Sequence, residues 1–161
     1  VTMGLDCTLW QITMPQLAEL LDSDEAVEAL ICGEDGALEA KSLYLGSAWH
    51  VLHFCITGEA EGNVFPLSYA LMAGIPIADD YLDGAAYLLP HVVRDVVEAL
   101  GTLSETIIVE RFKEEACGNR EIYASQWPED RSDEIVKYFD RLKRFFEEAA
   151  LKRNAMLRHI V

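Results

Sequence analysis

The residues of this sequence whose types and spacing could do chemistry are two histidines, His50 and His53, within the apolar run WHVLHFCITG. Residues three positions apart lie on the same side of a helix, so the two imidazoles could converge on one ion or one substrate. The pattern is not HExxH, because Val51 and Leu52 stand between the histidines and supply no general base. A metal would need further ligands, and the candidates are His91 and the loop residues Glu59, Glu61, Asp79, Asp80 and Asp83. We predict no metal site and no cofactor.

Two interpretations of the histidines stay open. In the first, His53 packs in the core with a ring nitrogen bonded to a backbone carbonyl, and His50 lies nearer the surface, off the apolar stripe. In the second, polar residues of this segment and two aromatic residues further along the chain line a ligand pocket. The candidate ligand-binding residues are His50, His53, Thr57, Tyr123 and Trp127.

Other catalytic patterns are missing from the sequence. No serine stands in a GxSxG pattern, and the glycine-spaced segments GEDGAL and GEAEG carry acidic residues that would repel a phosphate. The four cysteines form no CxxC pair, and with no signal sequence in view we expect a reduced, cytoplasmic protein. These observations favour binding over catalysis.

The charge of the chain is strongly one-sided, with 28 acidic and 13 basic residues and a formal net charge of -15. This field opposes binding to nucleic acids and to anionic membranes, and it favours a basic protein partner. Basic residues cluster only near the C-terminus: Arg141, Lys143, Arg144, Lys152, Arg153 and Arg158. The acidic segment DDYLD supplies the candidate partner contacts, which are Asp79, Asp80, Tyr81 and Asp83, although a solvated turn explains it too.

The elements that must position these residues follow from hydrophobic periodicity and capping signals. Alternation predicts strands at both ends of the chain, and helical spacing dominates between them. We predict strands over 5–12 and 155–161, short extended pieces over 75–77 and 86–89, and helices over 13–21, 24–31, 49–57, 66–74, 90–101, 105–113 and 133–153. The fold class is therefore α+β, a helix-rich single domain with a small sheet that can pair the N- and C-terminal strands.

Several of these segments resemble a known family. The order MGLDCTLWQITMPQLAELL, AWHVLHFCITGE, PLSYALMAGIPI, AAYLLPHVVRDVVEALGTLSE and REIYASQW, followed by a long final helix, is similar to the YfbM-like family of bacterial domains of unknown function. The resemblance covers residues 3–161 and implies one α+β domain. It carries over no activity and no catalytic residues.

The sequence supports two functional hypotheses. The first is a non-catalytic interaction module that contacts, and could neutralise, a basic protein, because the chain has a net charge of -15 and no catalytic motif. The alternative is a small-ligand binder or hydrolase-type enzyme with a pocket at the helix over 49–58, where His50 or His53 would be the acid or base.

Overall fold

The structure is a computed structural model that describes residues 5–61, 64–77, 84–116, 119, 121–122 and 127–161. The strands in this part of the chain are β1 (Cys7–Ile12), β2 (Lys41–Gly46), β3 (Ile75–Pro76), β4 (Ala85–Leu88) and β5 (Ala155–Ile160). The α-helices are α1 (Met14–Asp22), α2 (Asp24–Cys32), α3 (Trp49–Thr57), α4 (Pro90–Leu100), α5 (Glu105–Arg111) and α6 (Ser132–Leu151). The predicted α+β class is confirmed.

The sheet has the order β2-β1-β5-β4-β3, and all neighbouring strands are antiparallel. The two end strands β1 and β5 pair along their whole length, from Cys7 opposite Ile160 to Ile12 opposite Ala155. The predicted pairing of the first and last strands is confirmed. It places β5 in the centre, where both its edges are hydrogen-bonded.

Each face of the sheet carries its own hydrophobic core, because side chains alternate along a strand. Leu9 and Met156 belong to the larger core, which α3, α4, α5 and α6 complete. Trp10 and Leu157, one position further along the same strands, belong to the smaller core under α1 and α2. The sheet therefore has helices on both faces, and α3 lies on the side of the larger core.

Helix starts agree closely with the sequence signals. Thr13 followed by Gln16 three positions later predicts a capping box. The Thr13 side chain accepts a hydrogen bond from the Gln16 amide, and the Gln16 side chain accepts one from the Thr13 amide, so the capping box is confirmed. Helical spacing predicts that Leu17, Leu20 and Leu21 of α1 face inward. Leu17 and Leu20 are buried, but Leu21 is 47% exposed, so its prediction was wrong. Leu21 lies about 100° around the helix from Leu20, beyond the narrow stripe that this short helix buries.

Two other local predictions were wrong. The exposed edge strand β2 was not predicted, because only Leu45 among its six residues is buried and its alternation is weak. The predicted helix over 66–74 contains only a 3₁₀ turn, Leu67–Ala70. The segment is as short as α1, α2 and α3, but it lacks the side-chain N-cap of α1 and α2 and the all-round burial of α3.

Helix α3 is buried on all sides rather than along one stripe. Its residues from Trp49 to Ile56 are all buried, and Gly58 ends the helix at a φ of 81°, as predicted. His50 is 7% exposed and His53 is 1% exposed, so His50 lies nearer the surface than His53, as predicted, but it is buried and does not lie off an apolar stripe.

In the part of the chain that the structure describes, no helix combines the length and the apolar character needed to cross a membrane.

Candidate functional site

His50 attaches the loop after α3 to the helix. Its Nε2 lies 2.7 Å from the carbonyl oxygen of Ala60, and because a carbonyl only accepts, Nε2 donates. Its ring also stacks on Trp49, with 5.0 Å between ring centroids. This imidazole thus fixes the position of the segment that carries Glu59 and Glu61.

His53 is the more deeply buried imidazole, and neither of its ring nitrogens has a hydrogen-bond partner among the described residues. Burial, reinforced by His50 and then Arg158, lowers its pKa to about 4. The ring is therefore neutral at physiological pH. The predicted bond from a core histidine to a backbone carbonyl is made by His50, not by His53. The prediction assumed that only one face of α3 is buried. Because all faces of the helix are buried, His50 also lies inside the protein, where it reaches a backbone carbonyl.

Arg158, which belongs in sequence to the basic group near the C-terminus, is a buried residue of β5. It is 5% exposed, and its two Nη atoms donate to the carbonyls of Ala73 and Met72, both at 2.8 Å. Burial lowers its pKa to about 10. The sequence did contain a signal, since position 158 falls on the same strand face as Met156.

Cys7 on the neighbouring strand does not have the character of a nucleophile. It is fully buried, and this burial raises the pKa of its thiol to about 12 against a smaller opposing effect of Arg158. A thiol in this state carries almost no thiolate at neutral pH.

The C-terminal end of α3 is closed by side chains from two elements. Arg111 of α5 donates to the carbonyls of Cys55 and Ile56, at 3.0 and 2.9 Å. The Thr57 hydroxyl donates to the carbonyl of His53 at 2.9 Å and accepts from the amide of Glu59 at 3.1 Å. These bonds satisfy the last turn of the helix and hold the loop that follows it.

A cavity of about 640 Å³ opens beside this helix end, between the loop after α3 and the segment around residue 121. It is lined by Phe54, Gly58, Glu59, Ala60, Glu61 and Glu121. The three carboxylates are exposed, and none forms an ion pair with a basic residue that the structure describes. Because the Arg111 guanidinium already compensates the carbonyls at the end of α3, the acidic character of the cavity comes from its three carboxylates.

The structure brings together only part of the predicted site. His50, His53 and Thr57 share α3, but His50 and Thr57 hold the loop rather than line the cavity. Among the described ring contacts, Trp127 meets Phe112 and Tyr138, at centroid distances of 6.4 and 6.1 Å, and neither imidazole. Five predicted site residues lie outside the described residues, namely Tyr123, Asp79, Asp80, Tyr81 and Asp83.

Sequence reasoning had treated Glu59 and Glu61 only as possible metal ligands, and it had not considered Glu121. Within the described residues, no three His, Cys, Asp or Glu side chains are arranged to hold a metal ion. Glu121 and Arg111 are distant from α3 in sequence, and no local pattern placed them at its end.

Comparison with known proteins connects this fold to a family. Residues 3–159 match the model of a family described as a domain of unknown function (DUF1877). The chain belongs to this family. A search of curated proteins found no match.

Among solved structures, the crystal structure of a protein of unknown function, YfbM from Escherichia coli, is similar, with a TM-score of 0.70. The match covers 97% of this chain and 99% of that chain at 18% sequence identity. This likeness shows the shared fold and confirms the resemblance to the YfbM-like family. These comparisons assign no activity to the DUF1877 protein.

Proposed function

We propose that this DUF1877 protein is a non-catalytic binding module that accepts a cationic group of a basic protein partner, such as a lysine side chain, in the cavity at the end of α3. The observation that carries the proposal is the presence of three exposed carboxylates, Glu59, Glu61 and Glu121, around one cavity of about 640 Å³. With no basic partner among the described residues, these carboxylates are available to an external cation.

Two further observations support binding rather than catalysis. The net charge of -15 attracts a basic partner over a long range at low ionic strength. Two buried side chains that could act as a base or a nucleophile are neutral, since the His53 pKa is lowered to about 4 and the Cys7 pKa is raised to about 12. Because Cys7 and Cys32 are free thiols, we include a reducing, cytoplasmic location in the proposal.

The experiment is calorimetric titration of the protein with a short synthetic lysine peptide at several salt concentrations. We expect the triple variant at the cavity to bind roughly tenfold or more weakly, because each lost charge pair removes part of the attraction. The three substitutions are Glu59→Gln, Glu61→Gln and Glu121→Gln.

A matched control separates this cavity from the general field of the protein. It makes the same change in net charge at exposed positions of α1 and α2, with the substitutions Glu19→Gln, Glu25→Gln and Glu28→Gln. If both triple variants weaken binding equally, the peptide responds only to net charge and the cavity is not the site. Absence of measurable binding by the wild type at low salt would also contradict the proposal.

A variant at His50 tests whether the loop must be held in place. His50→Leu keeps the volume similar and removes the bond to the Ala60 carbonyl. We expect it to weaken peptide binding without removing any carboxylate, and to destabilise the fold by about 1–3 kcal/mol because a polar group loses its partner. An unchanged affinity would show that peptide binding does not depend on the hydrogen bond from His50 to the Ala60 carbonyl.

The alternative function, a small-ligand binder or hydrolase-type enzyme at the same helix, is supported by the position of the cavity directly at the end of α3. A small organic cation would then replace the lysine peptide. Thermal stability in the presence of amines and polyamines checks this alternative, and a rise in Tm that the cavity triple variant abolishes would support it.

A further inference from the structure

The buried positive charge of Arg158 indicates a second binding site. A guanidinium has five N–H groups, and the structure shows hydrogen bonds from only two of its nitrogens, to the carbonyls of Ala73 and Met72. Its Nε is buried and has no hydrogen-bond partner in the part of the chain that the structure describes. No carboxylate of the described residues forms an ion pair with it. Arg158 is thus a cation, 5% exposed, without a counter-charge in this part of the chain.

A buried charge with no counter-charge is costly, because it loses hydration and gains no ion pair in return. The carbonyls of Ala73 and Met72 replace some of the lost water, but they carry no full negative charge. The burial that lowers the pKa of Arg158 to about 10 still leaves it protonated at neutral pH. An anion beside Arg158 would relieve this imbalance.

Arg158 lines a cavity of about 460 Å³ that can admit such an anion. The cavity lies between β4, β5 and the segment that follows the 3₁₀ turn, and its described walls are otherwise uncharged, including Tyr69, Ala73, Gly74, Gly84 and Ala86. None of its described wall residues is acidic, although the protein as a whole has a net charge of -15. This is the opposite electrostatic character from the carboxylate-lined cavity at the end of α3.

We propose that this second cavity binds the oxyanion group of a small molecule, a carboxylate or a phosphate, through the guanidinium of Arg158. The planar, fixed arrangement of N–H donors matches oxyanions, and charged hydrogen bonds of this kind are roughly twice as strong as neutral ones. The cavity volume of about 460 Å³ leaves room for the rest of a small molecule. The site is independent of the cation site, since no described wall residue is common to both cavities.

The test is NMR observation of the arginine Nε–H resonances of the full chain during titration with sodium acetate and, separately, inorganic phosphate. Sodium chloride keeps the ionic strength constant in both titrations. We expect the Arg158 resonance to shift in a saturable manner with one of the two anions and Tm to rise with it. The anion that saturates at lower concentration identifies the oxyanion class as carboxylate or phosphate.

Variants connect the response to the guanidinium. Arg158→Met should abolish the anion-dependent rise in Tm, and Arg158→Lys, which keeps a charge but loses the fork of donors, should bind roughly tenfold more weakly. The control is Arg144→Met, because this exposed arginine of α6 carries the same charge as Arg158 and is not a wall residue of this cavity. This control should keep the wild-type anion response.

Two results would overturn the proposal. One is an Arg158 resonance that responds to neither acetate nor phosphate beyond the chloride reference. The other is an anion-dependent rise in Tm that persists in Arg158→Met. If Arg158→Met does not fold, the wild-type NMR titration decides by itself.

Discussion

At the scale of single residues, the two histidines of α3 have different roles although three positions separate them. His50 donates to the Ala60 carbonyl and holds the acidic loop, whereas His53 is an enclosed ring with two unpartnered nitrogens. The burial that keeps His53 neutral also makes its protonation unfavourable in the folded state. His53 is therefore a source of acid sensitivity.

The pH dependence follows from the pKa of His53, which is lowered from 6.5 to about 4 by folding. Between these two values the unfolded chain binds a proton that the folded chain does not, so stability falls as the pH falls from 6.5 to about 4. The shift corresponds to a loss of about 3 kcal/mol in the free energy of unfolding. Denaturant unfolding at several pH values measures it.

His53→Leu isolates this contribution from the titration of the many carboxylates. Leucine cannot take up a proton, so the variant should lose less stability over the same pH range than the wild type does. If the two pH profiles run parallel, His53 is not the cause of the acid sensitivity.

At the scale of elements, Gly84 directly precedes β4 and is hydrogen-bonded to the end of β5. Its carbonyl accepts from the Ile160 amide at 3.1 Å, and its φ of 89° lies in the left-handed region. A Cβ added to Gly84 would stand 2.2 Å from the Ile160 carbonyl oxygen. The backbone of the central strand leaves no room for a side chain here.

Gly84→Ala should therefore be more destabilising than Gly33→Ala, which has a φ of 67° but no atom within 4 Å of the added Cβ. Gly33→Ala should cost about 1–2 kcal/mol from backbone strain alone. Gly84→Ala should cost a further 1–3 kcal/mol, roughly, from steric overlap. Thermal unfolding of both variants compares them, and equal losses would mean that the contact with Ile160 relaxes freely.

At the scale of the whole molecule, the net charge of -15 opposes the compact state, because folding concentrates the carboxylates. The ion pairs of the described residues include Lys41 and Lys152 with Glu148, but these pairs are largely exposed and contribute little to the free energy of unfolding. Repulsion among the remaining acidic residues should thus be the dominant long-range electrostatic effect.

Salt should therefore raise the thermal stability of the protein. The Debye length falls from about 30 Å at 0.01 M to about 8 Å at 0.15 M, which screens repulsion between exposed carboxylates. Each 1 kcal/mol of relieved repulsion should raise Tm by about 2–4 °C in a domain of this size. Calorimetric scans in sodium chloride measure this, and the triple variant of Glu19, Glu25 and Glu28 should respond less than the wild type. A Tm that falls with salt would contradict the expectation.

The sequence by itself determined the features that depend on neighbouring residues. The capping box of Thr13 and Gln16, the end of α3 at Gly58 and the alternation within each end strand could be predicted, because a cap or an alternation involves residues a few positions apart. The pairing of β1 with β5 joins distant residues, and the sequence indicated it only because both segments alternate and need a partner strand.

Only the tertiary structure decided the chemistry of the sites. Arg111 reaches the carbonyls at the end of α3 from 55 and 56 positions away, and Arg158 reaches the Ala73 and Met72 carbonyls from 85 and 86 positions away. Whether a side chain is buried, neutral or paired depends on such distant partners. No periodicity along the chain encodes them, so the acidic cavity, the neutral His53 and the buried Arg158 required the folded molecule.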